Sequence, residues 1–334
     1  MSATKGHIKL LLLLAAGLLA ACSPNEPPQP EAQDEICLNA TVWQMMQGAP
    51  ARSDSAPARP GTQANAPLRA MTYEPGTLTS GSFTAAAYVE NTTDVYIAPV
   101  QVNYITDKWV WSDGKHYWPA SGSLDFFAYM PASAPSYITD NSDVASQVSY
   151  VARNPQFKCK NLPMTYDSAS PSAGQGSGLQ EFVYALVTDQ NKTTPGASGV
   201  SLNFQRPFAK INLQLSSTQA DIHIDKITFK NIKNNGSYTH SSGWTTSGAN
   251  TNLVLTLDDD YEANDEIGTF IMVPQAWAGQ IEVVATWTDW GEDLPHTLTA
   301  TKATTWVAGT SYTYTFTIKE TDLIVDAEKF TEQW

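Results

Sequence analysis

The feature that most constrains this fold is an alternation of apolar and polar residues at every second position. It is clearest in SYTYTFTIK near the C-terminus, where Tyr312, Tyr314, Phe316 and Ile318 alternate with three threonines. Because successive side chains of a β-strand point to opposite faces, this alternation predicts a strand with one buried face. Similar short segments recur between turn residues from Thr77 onward, and none of the longer segments has a helical period. The chain is therefore predicted to be all-β.

The strand-like segments fall into two series, which predicts two tandem β-sandwich domains joined near residue 199. EICLNATVWQMM predicts the first strand, and it is followed after a gap by SFTAAAYVE, DVYIAPVQVNYI, LDFFAYMP and EFVYALVTDQN. The second series begins with GVSLNF and AKINLQL. We assign residues 36–198 to an N-terminal domain and 199–319 to a C-terminal domain. Asp113-Gly114 predicts a tight hairpin, and the glycine-rich stretch 167–179 predicts a flexible loop.

The N-terminus has the pattern of an export signal. Lys5 and Lys9 precede an apolar run that is too short to span a bilayer. The run ends in Leu19-Ala20-Ala21-Cys22, which resembles the bacterial lipobox. That resemblance implies that residues 1–21 are a signal peptide and that Cys22 carries diacylglycerol and further acyl chains such as palmitate, which would hold the protein at a membrane. The alternative is a plain secretory signal that happens to contain a cysteine.

Two proline-rich stretches flank the first predicted strand. Residues 22–35 are polar and predict a tether. Residues 47–69 contain no aromatic residue, valine or isoleucine, so they cannot contribute a core and predict an exposed loop that is sensitive to proteases. Arg52, Arg59 and Arg69 lie in this loop.

Charge and cysteine content exclude some classes of protein. The formal net charge is −14, and removal of the signal peptide would make it more negative. Such a surface repels nucleic acid, which excludes a nucleic-acid-binding role. With Cys22 acylated, only Cys37 and Cys159 remain. They could form a disulfide in an oxidising compartment, but we favour two buried free thiols.

No motif predicts an enzyme, a cofactor or a metal site. The sequence lacks HExxH, CxxC and GxSxG, and the histidines beyond residue 22 have no partner at a metal-binding spacing. The acidic run 258–266 could bind calcium, but its spacing favours a solvated hairpin loop. Asp113 and His116 could form an acid–base pair, although Asp-Gly is explained by turn chemistry. The tryptophans could stack on sugars, but strand aromatics next to hairpin turns are more often core or edge-pair residues; they are Trp109, Trp111, Trp118, Trp287 and Trp290.

The C-terminal tail, residues 320–334, contains strand-forming residues at a chain end. Leu323 and Val325 are followed by the large apolar residues Phe330 and Trp334. The tail could be one further strand of its own domain. It could also be an extended segment that binds another subunit.

Several local patterns occur in the order typical of one family. They are PLRAMTYEPGTLTSGSFTAAAYVE, YWPASGSLDFFAYMP, EFVYA followed by VSLNFQRPFAKINLQL, FIMVPQ, and WVAGTSYTYTFTI. Together with the lipobox they resemble the fimbrillin family, the lipoprotein-precursor pilins of Bacteroidetes-type fimbriae. Arg206-Pro207 stands where relatives often carry histidine. The resemblance covers nearly the whole chain.

The resemblance implies a fold and a mechanism of assembly. It implies two transthyretin-like β-sandwich domains, no enzymatic activity, and a lipoprotein precursor that reaches the outer membrane and the cell-surface fimbrium. An Arg-specific protease would then remove the N-terminal segment with the first strand. An extended donor strand from another subunit's C-terminal segment would fill the vacated groove.

Carried onto this sequence, the resemblance predicts specific sites. Cleavage is expected after Arg69, with Arg59 and Arg52 as alternatives. The donor residues would be Leu323, Val325, Phe330 and Trp334. Asp-Ser-Ala triplets resemble an O-glycosylation pattern at Ser55 and Ser168. The partners would be other fimbrial subunits, the protease, and host or bacterial surface receptors. The competing hypotheses are a monomeric surface lipoprotein that binds glycans and a secreted hydrolase with paired carboxylates.

Overall fold

The computed structural model describes residues 34–42, 68–69, 76–176, 178–194, 199–216, 222–262, 264–289, 292–319 and 322–330. Every regular element in these ranges is a β-strand, which confirms the all-β prediction. These residues form no helix that is long and apolar enough to cross a bilayer. Residues from Glu35 onward form one compact unit.

Two facing sheets enclose the smaller of two cores. One sheet has the order β12-β7-β4-β5-β6, and the other has the order β13-β1-β3. The strands of the first sheet are β4 (Ser82–Val89), β5 (Val95–Ile105), β6 (Lys108–Trp111), β7 (Leu124–Met130) and β12 (Val183–Gln190). Those of the second are β1 (Leu38–Val42), β3 (Gly76–Thr77) and β13 (Val200–Phe204). Phe83, Phe126, Leu202 and Phe204 are fully buried between the two sheets.

A second pair of sheets encloses most of the larger core. The first of them is β11-β18-β15-β20-β21 and the other is β2-β19-β14-β22-β23. The first contains β11 (Thr165–Asp167), β15 (Ile222–Ile232), β18 (Thr251–Tyr261), β20 (Ala276–Asp289) and β21 (Glu292–Thr305). The other contains β2 (Leu68–Arg69), β14 (Ala209–Leu215), β19 (Glu266–Met272), β22 (Ser311–Lys319) and β23 (Asp322–Phe330). Tyr312, Tyr314, Phe316 and Ile318 are all buried, as the alternation in β22 predicts.

A fifth sheet joins strands from both halves of the chain. It consists of β8 (Ile138–Thr139), β9 (Ser149–Val151), β10 (Asn154–Cys159), β16 (Asn235–Thr239) and β17 (Gly243–Ser247). Phe157 on β10 stacks with Tyr238 on β16 and meets Tyr184 of β12 edge-on. Strands β4 and β7 of the β12-β7-β4-β5-β6 sheet are therefore buried on both faces, which explains why β7 reads as a continuous apolar run: Phe126 lies in the smaller core and Phe127 in the larger.

The division of the chain differs in detail from the sequence pattern. The sequence places GVSLNF in the second series, but β13 pairs with β1 and contributes to the smaller core. The domain boundary near residue 199 stays a prediction.

Two loop predictions differ from the structure. Part of the stretch 167–179 packs closely, because the buried Gln175 side chain donates to the carbonyl oxygens of Pro163 and Ile271 at 2.7 and 3.1 Å. A Cβ at Gly174 would lie 1.8 Å from the Thr165 carbonyl oxygen, so this glycine permits a close backbone approach. The acidic run does not form a hairpin loop, because Asp258, Asp259 and Asp260 lie in β18, which pairs with β15, whereas Glu266 begins β19, which pairs with β14.

Candidate functional site

The candidate site is the groove that holds β1. This strand pairs in parallel with β13, from Leu38 opposite Val200 to Val42 opposite Phe204. On its other side, Thr41 and Val42 pair with Thr77 and Gly76 of β3. The strand confirms the apolar alternation seen in the sequence. The buried side chains of β1, and of Ile36 two residues before it, enter the smaller core and are each 1–4% exposed: Ile36, Leu38, Ala40 and Val42.

The parallel pairing starts where the backbones of Gly199 and Cys37 approach each other closely. Gly199 has φ +87°, and its neighbour Val200 donates to the Cys37 carbonyl oxygen at 2.9 Å. A Cβ at Gly199 would lie 2.6 Å from that oxygen, so only glycine fits without a shift. Cys37 itself is exposed and Cys159 is buried, and both are free thiols. The expectation that both thiols are buried was wrong for Cys37.

The aromatic stretch beyond β6 holds the start of β1. The Ile36 amide donates to the His116 carbonyl oxygen at 2.8 Å, and the Trp111 indole Nε1 donates to the Ile36 carbonyl oxygen at 3.1 Å. Glu35 forms an antiparallel bridge with Tyr117. Trp111–Tyr117 therefore does not form the hairpin predicted from Asp113-Gly114, because the residues after the turn pair with residues 35–36 instead of β6.

Asp113 and His116 do meet, but they stabilise this segment. His116 Nε2 lies 2.9 Å from Asp113 Oδ1, and the imidazole packs edge-on against the Trp111 ring at 4.9 Å between centroids. In the described part of the chain, no group of three His, Cys, Asp or Glu residues could hold a metal ion.

The tryptophans of the first sandwich are core residues. Trp109, Trp111 and Trp118 are 5–8% exposed. Trp109 packs against Phe83 and Trp118 against Phe126, at 4.6 and 5.7 Å between ring centroids. An open cleft of about 680 Å³ runs beside β1, between it and β6. The tryptophans next to this cleft do not present the exposed faces on which a sugar would stack. Trp287 is buried and stacks on His296, whereas Trp290 lies outside the described residues.

The C-terminal tail packs on its own domain. β23 pairs antiparallel with β22 along its whole length, and Leu323 and Val325 are buried in the larger core. The backbone of Phe330 ends this strand, and Trp334 lies outside the described residues. β23 is the last strand of its sheet, so one of its edges is unpaired among the described strands.

The other predicted sites are only partly described. The backbone of Arg69 lies in β2, opposite Thr269 of β19. Ser168 follows β11, and its amide donates to the Thr256 carbonyl oxygen at 3.0 Å. Cys22, Arg52, Ser55 and Arg59 lie outside the described residues.

The comparisons with known proteins point to one group of surface proteins. The sequence model of a family described as fimbrillin-like matches residues 77–334. No curated protein sequence matches the chain. A fimbrial protein from Bacteroides vulgatus has a similar structure, with a TM-score of 0.51 and 15% identity over 75% of this chain and 92% of that one. A protein from Bacteroides uniformis described as a cell adhesion protein gives a TM-score of 0.50 and 15% identity, over 92% of this chain and all of the other. At this identity the two structures show a shared fold.

Proposed function

The chain belongs to the fimbrillin-like family, and on that basis we propose that it is a pilin in which a donor strand from another subunit replaces β1. The family consists of structural fimbrial subunits and not of enzymes. The protein is accordingly a subunit of a cell-surface fimbrium that associates with other fimbrial subunits. Export as a lipoprotein, proteolytic maturation and strand exchange are the proposed steps of its assembly.

One observation carries the proposal: β1 is a strand at the N-terminal end of the described chain that fills a core built by other segments. Three of its side chains and that of Ile36 before it enter the smaller core, and its ladder partner β13 lies more than 150 residues along the chain. Removal of such a strand opens a row of apolar pockets and a row of unpaired backbone groups. A strand from another chain can satisfy both.

The tail matches three of the four buried positions of this groove, whereas Lys329 would stand at the position of Val42. Leu323, Val325 and Ala327 repeat, at the same spacing, the apolar character of Ile36, Leu38 and Ala40. A tail in this register would place its small residue where β1 also has one. The family match begins at residue 77, so the part of the chain shared with the family lies beyond the proposed cleavage site after Arg69.

Donation requires β23 to leave β22, and a disulfide can test this. Thr315 and Asp326 lie directly opposite each other, at a separation that a disulfide can bridge. We expect the Thr315→Cys/Asp326→Cys protein to polymerise when reduced and to stay monomeric when oxidised. The measurement is the ladder of SDS-resistant polymers on gels of unheated samples.

A second engineered disulfide provides the control. Glu282 and Thr299 are opposite each other on β20 and β21, so the Glu282→Cys/Thr299→Cys pair adds a disulfide to the same domain without locking the tail. This protein should polymerise in both redox states. If the oxidised Thr315→Cys/Asp326→Cys protein polymerised as fast as the same protein in its reduced form, the donor assignment would be refuted.

Maturation is proposed to occur after Arg69, with Arg59 and Arg52 as alternatives. Because the Arg69 backbone pairs with β19, β2 must detach before a protease can bind this segment in extended form. N-terminal sequencing of surface-assembled protein should begin at Ala70. Assembled protein that still begins at acylated Cys22 would contradict this step.

The lipid anchor and the glycans are proposed from sequence patterns. Acylation of Cys22 would carry the precursor to the outer membrane, and mass spectrometry of the precursor should find the acyl chains there, with none in a Cys22→Ala variant. O-glycans are expected on Ser55 and Ser168. The receptor for adhesion would be a host or bacterial surface molecule.

A further inference from the structure

The segment Trp111–Tyr117, here called the latch, holds the residues that lead into β1. We propose that the latch keeps β1 in its groove after the chain has been cut, so that cleavage and strand release are separate steps and the latch sets the rate of the second. This inference rests on the proposed exchange of β1.

The latch occupies both backbone hydrogen-bonding groups of Ile36. Its amide donates to the His116 carbonyl oxygen at 2.8 Å, and its carbonyl oxygen accepts from Trp111 Nε1 at 3.1 Å. The Ile36 side chain is buried at the same point. Release of β1 at this end must break both hydrogen bonds and expose an apolar side chain.

A charged contact and a backbone bridge extend this hold to Glu35. Lys115 Nζ lies 2.6 Å from Glu35 Oε2, and both side chains are exposed, so the ion pair contributes little by itself. Tyr117 forms a bridge with Glu35, and the Tyr117 carbonyl oxygen accepts from the Tyr96 hydroxyl at 2.9 Å. The contribution of the latch to holding β1 is therefore mainly the pair of hydrogen bonds to Ile36.

The latch also has contacts that do not involve β1. Trp111 is buried in the smaller core, and its ring is packed edge-on by His116, which in turn contacts Asp113 at 2.9 Å. These contacts lie within the latch or join it to the body of the domain. The latch is consequently preformed for any strand that enters the groove.

A cut beyond Val42 breaks none of the described contacts of β1. The parallel ladder with β13, the buried side chains and the latch all act on residues 35–42. Cleavage after Arg69 removes only the covalent connection from β2 to β3 and the later segments, whereas a cut after Arg52 or Arg59 separates β1 from β2. The cut strand thus remains bound until it dissociates or a competitor displaces it.

The test uses full-length protein in detergent with a site for a sequence-specific protease inserted after residue 55. After cleavage, native mass spectrometry should find the N-terminal fragment still bound. Its release is then timed in excess synthetic peptide of residues 34–46, a competitor that does not depend on the donor assignment. Removal of one neutral hydrogen bond in Trp111→Phe should accelerate release roughly fivefold.

The matched control is Trp118→Phe. Trp118 is a tryptophan of the same core that is buried to a similar degree, but it packs against Phe126 and makes no described hydrogen bond to residues 35–42. This variant should release the fragment at the wild-type rate. Immediate loss of the wild-type fragment on cleavage, or equal release rates for the two variants, would overturn the inference.

A parallel reaction with a peptide of residues 320–334 separates the inference from the proposed function. If this peptide fails to displace the fragment while the 34–46 peptide succeeds, with Trp111→Phe faster, the latch stands and the donor assignment is wrong. If both peptides displace the fragment, and each does so faster from Trp111→Phe than from Trp118→Phe, the latch and the donor assignment are both supported.

Discussion

The buried carboxylate of Asp125 gives the sharpest prediction about the stability of the sandwich that holds β1. Asp125 lies on β7 and is fully buried. Its Oδ2 accepts from the Asn91 amide and Arg153 Nε, both at 2.8 Å, and its Oδ1 accepts from the Asp189 amide at 2.9 Å and Arg153 Nη2 at 3.2 Å. One side chain thereby joins β7 to two turns and to the irregular end of β12.

The three residues that donate to this carboxylate share a left-handed backbone conformation. Asn91, Arg153 and Asp189 all have positive φ, between 54° and 65°. Hydrogen bonds from Arg153 to Asp125 and Asp189 also raise the pKa of its guanidinium. Burial raises the pKa of the neighbouring Tyr150 to about 12, so this phenol stays neutral and can donate to Asp125.

Asp125→Asn changes almost no volume but removes the charge. Each carboxylate oxygen accepts from at least two donors, so an amide nitrogen in either position would face two donors. Breaking a buried ion pair by removing one partner costs about 3–5 kcal/mol. We expect a loss of that size in the free energy of unfolding, measured in urea at neutral pH as a lower midpoint with an unchanged slope.

Asp189→Asn is the matched control. Asp189 also pairs with Arg153, but its side chain is 54% exposed, so its loss should cost only about 0–1 kcal/mol. If Asp125→Asn lowered stability by no more than Asp189→Asn, the buried carboxylate would not be the group that holds these turns.

Three further predictions concern the groove, the packed glycine stretch and pH. Gly199→Ala should destabilise the fold by about 2–4 kcal/mol, because it combines a positive φ with a clash against Cys37. Gly243 has a similar φ but open space around it. The difference between Gly199→Ala and Gly243→Ala in the free energy of unfolding, measured in urea, therefore isolates the clash. Gln175→Ala should cost about 1–3 kcal/mol by leaving backbone groups of Ile271 without their partner, whereas Gln101→Ala at an exposed site should be neutral. Burial lowers the pKa of His240, which contacts the Tyr184 hydroxyl at 2.8 Å. Its contribution to stability is therefore present above about pH 6.5 and lost as pH falls, and urea midpoints at several pH values should fall less steeply in His240→Gln.

Local alternation is enough to predict the strands but not their partners. The alternation in β22 arises because one of its faces packs on an apolar core, and its four large residues are buried as expected. The same alternation in β13 does not indicate that it pairs with β1, because the hydrogen-bonding edge of a strand carries no side-chain signal. Assignment of β13 from its neighbours in sequence was therefore misleading.

The latch could not be predicted, because its contacts join residues that are distant in sequence. Asp113-Gly114 is a valid turn signal, and the structure does turn there. After this turn the chain follows Ile36, just before β1, whose amide donates to His116 and whose carbonyl oxygen accepts from Trp111. The tryptophans likewise indicated a core correctly, but the hydrogen bond of the Trp111 indole depends on tertiary placement.

The parallel pairing of β1 with β13 has a consequence for the order of folding. Thr41 and Asn203, which hydrogen-bond across this ladder, are separated by 162 residues. Contacts of such long range are formed late, because the loop between them must be ordered first. The rest of the sandwich, from β4 to β13, can assemble through shorter loops. A folding chain should therefore pass through a state with an open groove, and this late intermediate would be nearly the same molecule as the accepting subunit of the proposed strand exchange.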